Sequence, residues 1–209
     1  MSDATKYTSK LSGSRILIIG GSSGIGFSVA EACIEHGALV AISSSNPDRV
    51  QSAVSRLQSS YPSSSSHIHG LTVDLSSPST LESELEKVLT ASAQKLCSNG
   101  KLDHIIFTAG DALATIPLSD MTYENVVAAG QIRFFAPLLL AKYIPKYLES
   151  NYKSSYTITT GSISERPMGN WSVIAGYATG LHGMVRNLAL DLKPIRVSPS
   201  LPLAIRCDC

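Results

Sequence analysis

The run Gly20-Gly21-Ser22-Ser23-Gly24-Ile25-Gly26 joins a short apolar stretch, Ile16 to Ile19, to a helix-forming stretch that starts near Gly26. Residues of those types in that order can hold a diphosphate. Ile16 to Ile19 is too short for a helix and too apolar for a water-facing sheet, so it reads as a buried parallel strand. Gly20 permits a tight turn out of that strand. The helix that follows presents unpaired backbone N–H groups and the positive end of its dipole to whatever lies above the strand. Gly24 and Gly26 carry no Cβ, so phosphate can come close to the main chain and the helix can lie close on the sheet. Gly20, Ser22, Ser23, Gly24, Ile25 and Gly26 are therefore the candidate diphosphate contacts. The alternative is a turn that only packs this βα unit, but a strand before and a helix after are the context a phosphate site needs.

The elements that position this turn follow in alternation. The first helix spans roughly Gly26 to His36, Gly37 ends it, and Ala38 to Ile42 reads as a second strand. Ser43, Ser44, Ser45 and Asn46 lie at the end of that strand, with Arg49 close behind. An acidic residue there would bind a ribose 2′-OH and repel a 2′-phosphate, whereas hydroxyls, an amide and a guanidinium suit the phosphate. That chemistry favours NADP(H) over NAD(H). The same residues also make good helix caps, which is the competing reading. Val50 to Leu57 reads as helix, Tyr61 to Ser66 as a serine-rich surface loop, and His67 to Leu75 as a third strand. A long helix covers Thr80 to Leu96, and Leu102 to Gly110 is a fourth strand that ends in small residues. Tyr123 to Tyr147 carries one long helical pattern with Ala128, Ile132, Phe135, Leu139 and Tyr143 on one face. Tyr156 to Thr160 is the fifth strand.

This alternation predicts an α/β fold: a single domain built on a doubly wound parallel sheet with helices on both faces, a Rossmann-like three-layer arrangement. Right-handed crossovers place the strands in the order three, two, one, four, with a crevice between strands one and four. With 209 residues and 44% hydrophobic composition, one domain with a sizeable core is expected, over residues 11–197. Residues 1–10 read as a flexible N-terminus and residues 198–209 as an irregular tail, with the C-terminal strand missing, because Pro199 and Pro202 disfavour a central strand. A net charge of +1 points away from nucleic acid, no run reaches a membrane span, and Met1 to Lys10 is polar without an apolar h-region, so a cytoplasmic protein is expected. The four cysteines show no ladder of spacings. Cys207-Asp208-Cys209 reads as a frayed tail and the His67/His69 pair as a solvated strand edge, so no metal is expected.

The G-x-x-x-G-x-G spacing resembles the nucleotide fingerprint of the short-chain dehydrogenase/reductase family, and the resemblance covers Leu11 to Val197. It implies that Asp74 bonds the adenine amino group and that Ala109 and Gly110 pass beneath the adenosine, with Thr108 standing where the family has Asn. It implies further that Tyr177 is the proton donor and that a serine holds the substrate oxygen. Ser162 matches the strand-end position best, and Ser164, thirteen residues before Tyr177, is the alternate. The family's Y-x-x-x-K has become Tyr177-Ala178-Thr179-Gly180-Leu181, so the lysine that lowers the phenol pKa is absent. His182 lies about 100° further round the helix and substitutes poorly. The family's helical Asn falls at Ile132 or Arg133. Arg133 is a candidate cation that lowers the Tyr177 pKa or binds an anionic group, or else a solvated side chain. Trp171 either walls the substrate site or staples its loop. The resemblance implies an NADP(H)-dependent oxidoreductase acting on a small, largely apolar metabolite of secondary metabolism, with a homo-oligomer as a further expectation. The alternative is a redox-inactive relative: a cofactor or metabolite binder, a cyclase-like pocket or a degraded product.

Overall fold

The structure, a computed structural model, describes residues 10–97 and 100–200. Of the expected termini, residues 1–9 and 201–209, with the Cys207–Cys209 run, lie outside the described residues. The elements are β1 (Arg15–Ile19), α1 (Gly24–Glu35), β2 (Leu39–Ser44), α2 (Pro47–Ser60), β3 (Ile68–Thr72), α3 (Leu81–Leu96) and β4 (His104–Phe107). They continue with α4 (Tyr123–Gly130), a π-helical turn (Gln131–Phe135), α5 (Ala136–Ala141), α6 (Ile144–Tyr147), β5 (Ser155–Thr159), α7 (Ser172–Asp191) and β6 (Arg196–Ser200). All strands are parallel in one six-stranded sheet of order β3-β2-β1-β4-β5-β6. The doubly wound arrangement and the reversal between β1 and β4 are those the alternating pattern predicts.

Strand β1 is central, and both of its faces are buried. Leu17 and Ile19 point into a cluster with α3, α5, α6 and α7, while Ile16 and Ile18 point into a second cluster with α1 and α2. Burial on both faces is why this strand is a continuous apolar run rather than an alternating one.

Three local expectations are corrected. The serine-rich stretch is a short 3-10 helix, Pro62–His67, rather than open loop. The long helix after β4 is interrupted by the π-turn, which carries an extra residue and rotates the helix face. The buried positions therefore run through Ala129, Ala136, Leu140 and Ile144, while Ala128 is exposed. The third correction concerns residues 198–200, which are strand rather than irregular tail. Ser200 accepts from the Thr160 N–H at 2.9 Å and the Arg196 N–H donates to Ser154 at 3.1 Å, so the even-numbered residues of β6 face β5. Pro199, lying between them, turns its missing N–H to the outer edge, where proline is tolerated.

At the opposite end from the glycine turn, Arg15 staples β1 to the start of β4. Its Nε and backbone N–H donate to Asp103 Oδ2 at 2.7 and 2.8 Å, and its Nη2 donates to Oδ1 at 2.8 Å. Burial pushes the Asp103 carboxyl up, but the Arg15 bonds outweigh it and hold the group below the usual carboxylate range. A depressed folded pKa means that the stabilisation is complete above about pH 5 and is lost as pH falls through the carboxylate range. Asp103→Asn is expected to cost about 1–3 kcal/mol at pH 7 in urea unfolding, with the gap from the parent closing near pH 3. A gap independent of pH would rule out this account.

Candidate active site

The glycine turn has a geometry that a diphosphate fits. A Cβ on Gly26 would lie 2.4 Å from both the Gly20 carbonyl oxygen and Thr108 Oγ1, and one on Gly20 would lie 2.5 Å from the Ala109 nitrogen. The turn and the end of β4 are in backbone contact, as close as chains come. Thr108 makes this possible: its N–H and its hydroxyl both donate to the Ile19 carbonyl, at 2.8 and 3.0 Å. The bracing expected of an asparagine at this position is thus supplied by the threonine. Gly24 has φ +53° with open space beside it, and the Ser23 side chain makes no cap on α1. Among the described residues no protein acceptor takes the N–H groups of Gly24, Ile25 or Gly26. Three amides at the start of a helix, left open, are an anion site.

Around this turn the candidate cofactor residues divide. Ser44 is half-buried and Ser45 exposed at the end of β2, and Arg49 is exposed on the first turn of α2. Asp74 is exposed just past β3, its carboxylate accepting the Ser76 N–H at 2.9 Å, which holds its pKa below the usual range. Ala109 and Gly110 follow β4 at the rim. Two candidates have partners or settings within the protein. Ser43 is fully buried with its hydroxyl unbonded, because β2 is covered on both faces; its carbonyl instead accepts the Gly20 and Gly21 N–H groups at 2.9 and 3.0 Å. Asn46 is the cap of α2, its side chain accepting the Arg49 N–H at 2.9 Å.

From the turn a cavity of about 410 Å³ extends along the ends of β4 and β5. Ile25, Thr108 and Ala109 line its near end; Ser162, Met168, Trp171, Tyr177 and Leu181 line the rest. Trp171 does both things considered for it, walling the cavity and packing with Ile163, Ile174 and Ala178. The structure separates the two candidate serines. Ser162 faces the cavity with Tyr177, whereas Ser164 donates to the Gly161 carbonyl at 3.0 Å and lines a different, shallow depression.

Tyr177 donates its hydroxyl to the Val126 carbonyl at 3.0 Å. Burial, and then Tyr123, push its pKa above the ordinary phenol value. This corrects one role considered for Arg133. Its guanidinium lies along Gly110 and pairs with Asp111, Nε to Oδ1 at 3.0 Å and Nη2 to the Asp111 carbonyl, and it does not lower the Tyr177 pKa. Leu181 occupies the family's lysine position as a buried cavity wall, and His182 has a buried, unbonded Nε2. Sequence reasoning missed the Val126 carbonyl, for which no side-chain signal exists. It also missed Asp111, whose place directly after Ala109-Gly110 was a usable hint. Among the described residues no group of three or more His, Cys, Asp or Glu side chains could hold a metal ion, and no helix is long and apolar enough to cross a membrane.

Comparison with known proteins agrees with this geometry. A family model described as an SDR-like Rossmann domain matches residues 7–207. The chain is 48% identical over 199 residues to the short-chain dehydrogenase/reductase fsr5 of Gibberella fujikuroi, covering 95% of this chain and 74% of the relative. It is 41% identical over 197 residues to the short-chain dehydrogenase/reductase malC of Malbranchea aurantiaca, covering 93% and 73%. The solved structure of the MalC reductase/Diels-Alderase superposes with a TM-score of 0.85 over 93% of this chain and 74% of that one, at 40% identity. A short-chain dehydrogenase from Escherichia coli CFT073 complexed with NADPH shares the fold, with a TM-score of 0.77 at 20% identity over 92% of this chain and 77% of that one.

Proposed function

The chain belongs to the short-chain dehydrogenase/reductase family, and from that premise we propose that it is an NADP(H)-dependent oxidoreductase that interconverts a carbonyl and an alcohol on a small, largely apolar metabolite of secondary metabolism. The observation that carries this reading is the single cavity that begins at Ile25 in the glycine turn and reaches Ser162 and Tyr177. The open amides of Gly24, Ile25 and Gly26 would hold the diphosphate, Asp74 the adenine, and Ser44, Ser45 and Arg49 the 2′-phosphate. When bound, the nicotinamide cofactor supplies or takes up the hydride. Ser162 then donates a hydrogen bond to the carbonyl oxygen. Tyr177 gives that oxygen its proton, breaking the bond to the Val126 carbonyl, and the product alcohol carries both. Arg133, fixed by Asp111 beside Gly110, is a permanent cation for an anionic group at the cofactor end. Phe107, Leu113, Ile163, Met168, Trp171 and Leu181 make the walls of an apolar substrate site.

Trp171 is the sole tryptophan and lines the cavity, so its fluorescence reports binding directly. NADPH is expected to quench it saturably, with NADH binding about tenfold more weakly, a difference of about 1.4 kcal/mol. Arg49→Ala is expected to weaken NADPH by about tenfold and to leave NADH within about twofold. No saturable quenching by either nucleotide, with an intact fold by circular dichroism, would overturn the cofactor assignment.

A second reading is favoured by a specific observation: Leu181 replaces the cation that would activate Tyr177, and the phenol is committed to a backbone carbonyl. On this reading the apolar cavity shapes a cyclisation without net redox change, in keeping with the relative described as a reductase/Diels-Alderase. Product formed without stoichiometric NADPH consumption would select it. A cytoplasmic location and a homo-oligomer complete the proposal, and cell fractionation and light scattering test them.

A further inference from the structure

Two segments that meet at Tyr177 exchange glycines. Gly130 closes α4, and a Cβ there would lie 2.5 Å from Cζ and 2.7 Å from the hydroxyl oxygen of Tyr177 on α7. Gly180, one turn after Tyr177, would place a Cβ 3.1 Å from the ring of Phe134, which lies in the π-turn just after Gly130. Each segment thus lays an aromatic ring over a glycine of the other. The Phe134 and Phe135 ring centroids then stand 5.2 and 5.9 Å from that of Tyr177, and the Val126 carbonyl takes its hydroxyl. A general need for small residues along α7 does not account for this, because a Cβ on Gly176 or Gly183 would meet nothing within 4 Å. Of these α7 glycines Gly180 alone meets a ring, closely, and Gly130 on the facing segment has no room for a Cβ.

We propose that Gly130 and Gly180 are positioning residues for Tyr177, holding its ring at the cavity wall with the hydroxyl proton lodged on the Val126 carbonyl until a substrate oxygen takes it. This rests on the reading of Tyr177 as proton donor. Phe134, the ring that meets Gly180, lies within the π-turn.

The test uses the full chain carrying ¹³C at tyrosine Cζ, without cofactor, titrated by NMR, with the Tyr177 resonance assigned by its loss in Tyr177→Phe. In the parent the phenol is expected to titrate above the ordinary value of about 10. Gly130→Ala pushes the ring off the Val126 carbonyl and moves the titration down toward that value; Gly180→Ala moves it the same way by less; Gly176→Ala leaves it in place. Reduction of 9,10-phenanthrenequinone by NADPH is the second readout. The kcat is expected to fall roughly 100-fold in Gly130→Ala and roughly 10-fold in Gly180→Ala, with KM moving less than about threefold. The proposal is overturned if Gly130→Ala and Gly180→Ala leave the Tyr177 titration unchanged, or if Gly176→Ala shifts it equally. Should Gly130→Ala fail to fold, Gly180→Ala carries the same comparison, because a 3.1 Å contact needs only a small movement of Phe134. If the titrations move as stated while Tyr177→Phe reduces the quinone at the parent rate, the positioning stands and the proton-donor reading falls.

Discussion

Gly26→Ala is expected to weaken NADPH binding at least about 100-fold, a loss of about 2.7 kcal/mol, and to lower stability by about 1–3 kcal/mol through overpacking. The new methyl would sit 2.4 Å from the Gly20 carbonyl oxygen and from Thr108 Oγ1. Neither neighbour can retreat. Gly20 is held by its N–H bond to Ser43 and abuts the Ala109 backbone, while Thr108 is tied twice to Ile19. Relief therefore comes from lifting α1 off the sheet, which displaces the open amides of Gly24, Ile25 and Gly26. Binding depends on several N–H groups reaching one diphosphate together, so a small shift of the helix loses them as a set. Quenching of Trp171 by NADPH, alongside a thermal melt, measures both effects. Binding within threefold of the parent would show that the diphosphate is held elsewhere.

Tyr177→Phe should reduce the rate of carbonyl reduction by about 10²–10⁴-fold, the range of a lost general acid. Stability should change little. The ring keeps its contacts with Phe134 and Phe135, and only the Val126 bond is lost, worth about 0.5–1.5 kcal/mol. The pH dependence has a definite sign. Burial raises the phenol pKa, so the protonated form that reduction needs persists through neutral pH and is lost only above the ordinary value near 10. Reduction should therefore be flat across neutral pH and fall in strong alkali, while alcohol oxidation, which needs the phenolate, should rise there. A reductive profile that falls between pH 7 and 9 would require a cation beside the phenol, in conflict with Leu181 at that position. Parent-like turnover in the variant would leave the cyclisation reading as the better one.

Much of the geometry around the glycine turn was legible in the residues, because its determinants are local. A strand, a glycine turn and a helix follow one another in the chain, and Thr108, Ala109 and Gly110 come directly after the strand that the turn packs against. The far end of the cavity was legible only as a set of candidates. Ser162 and Ser164 differ by two residues in a short 3-10 turn, and which of them faces the cavity depends on how that turn lies on α7. Arg133 was visible as a cation near Tyr177. Its partner was not, since Asp111 lies on a loop twenty-two residues earlier and is brought to it by the fold.

The sequence by itself determined the alternation of strands and helices, the parallel sheet and the order of its first four strands. Hydrophobic period and glycine spacing are short-range properties, and the right-handed crossover leaves little freedom thereafter. Tertiary structure alone decided the outer-edge setting of Pro199 and the engagement of Tyr177 with the Val126 carbonyl. Each of these is settled by which distant backbone group lies opposite. A side-chain pattern cannot encode that choice when the partner is a carbonyl oxygen common to every residue.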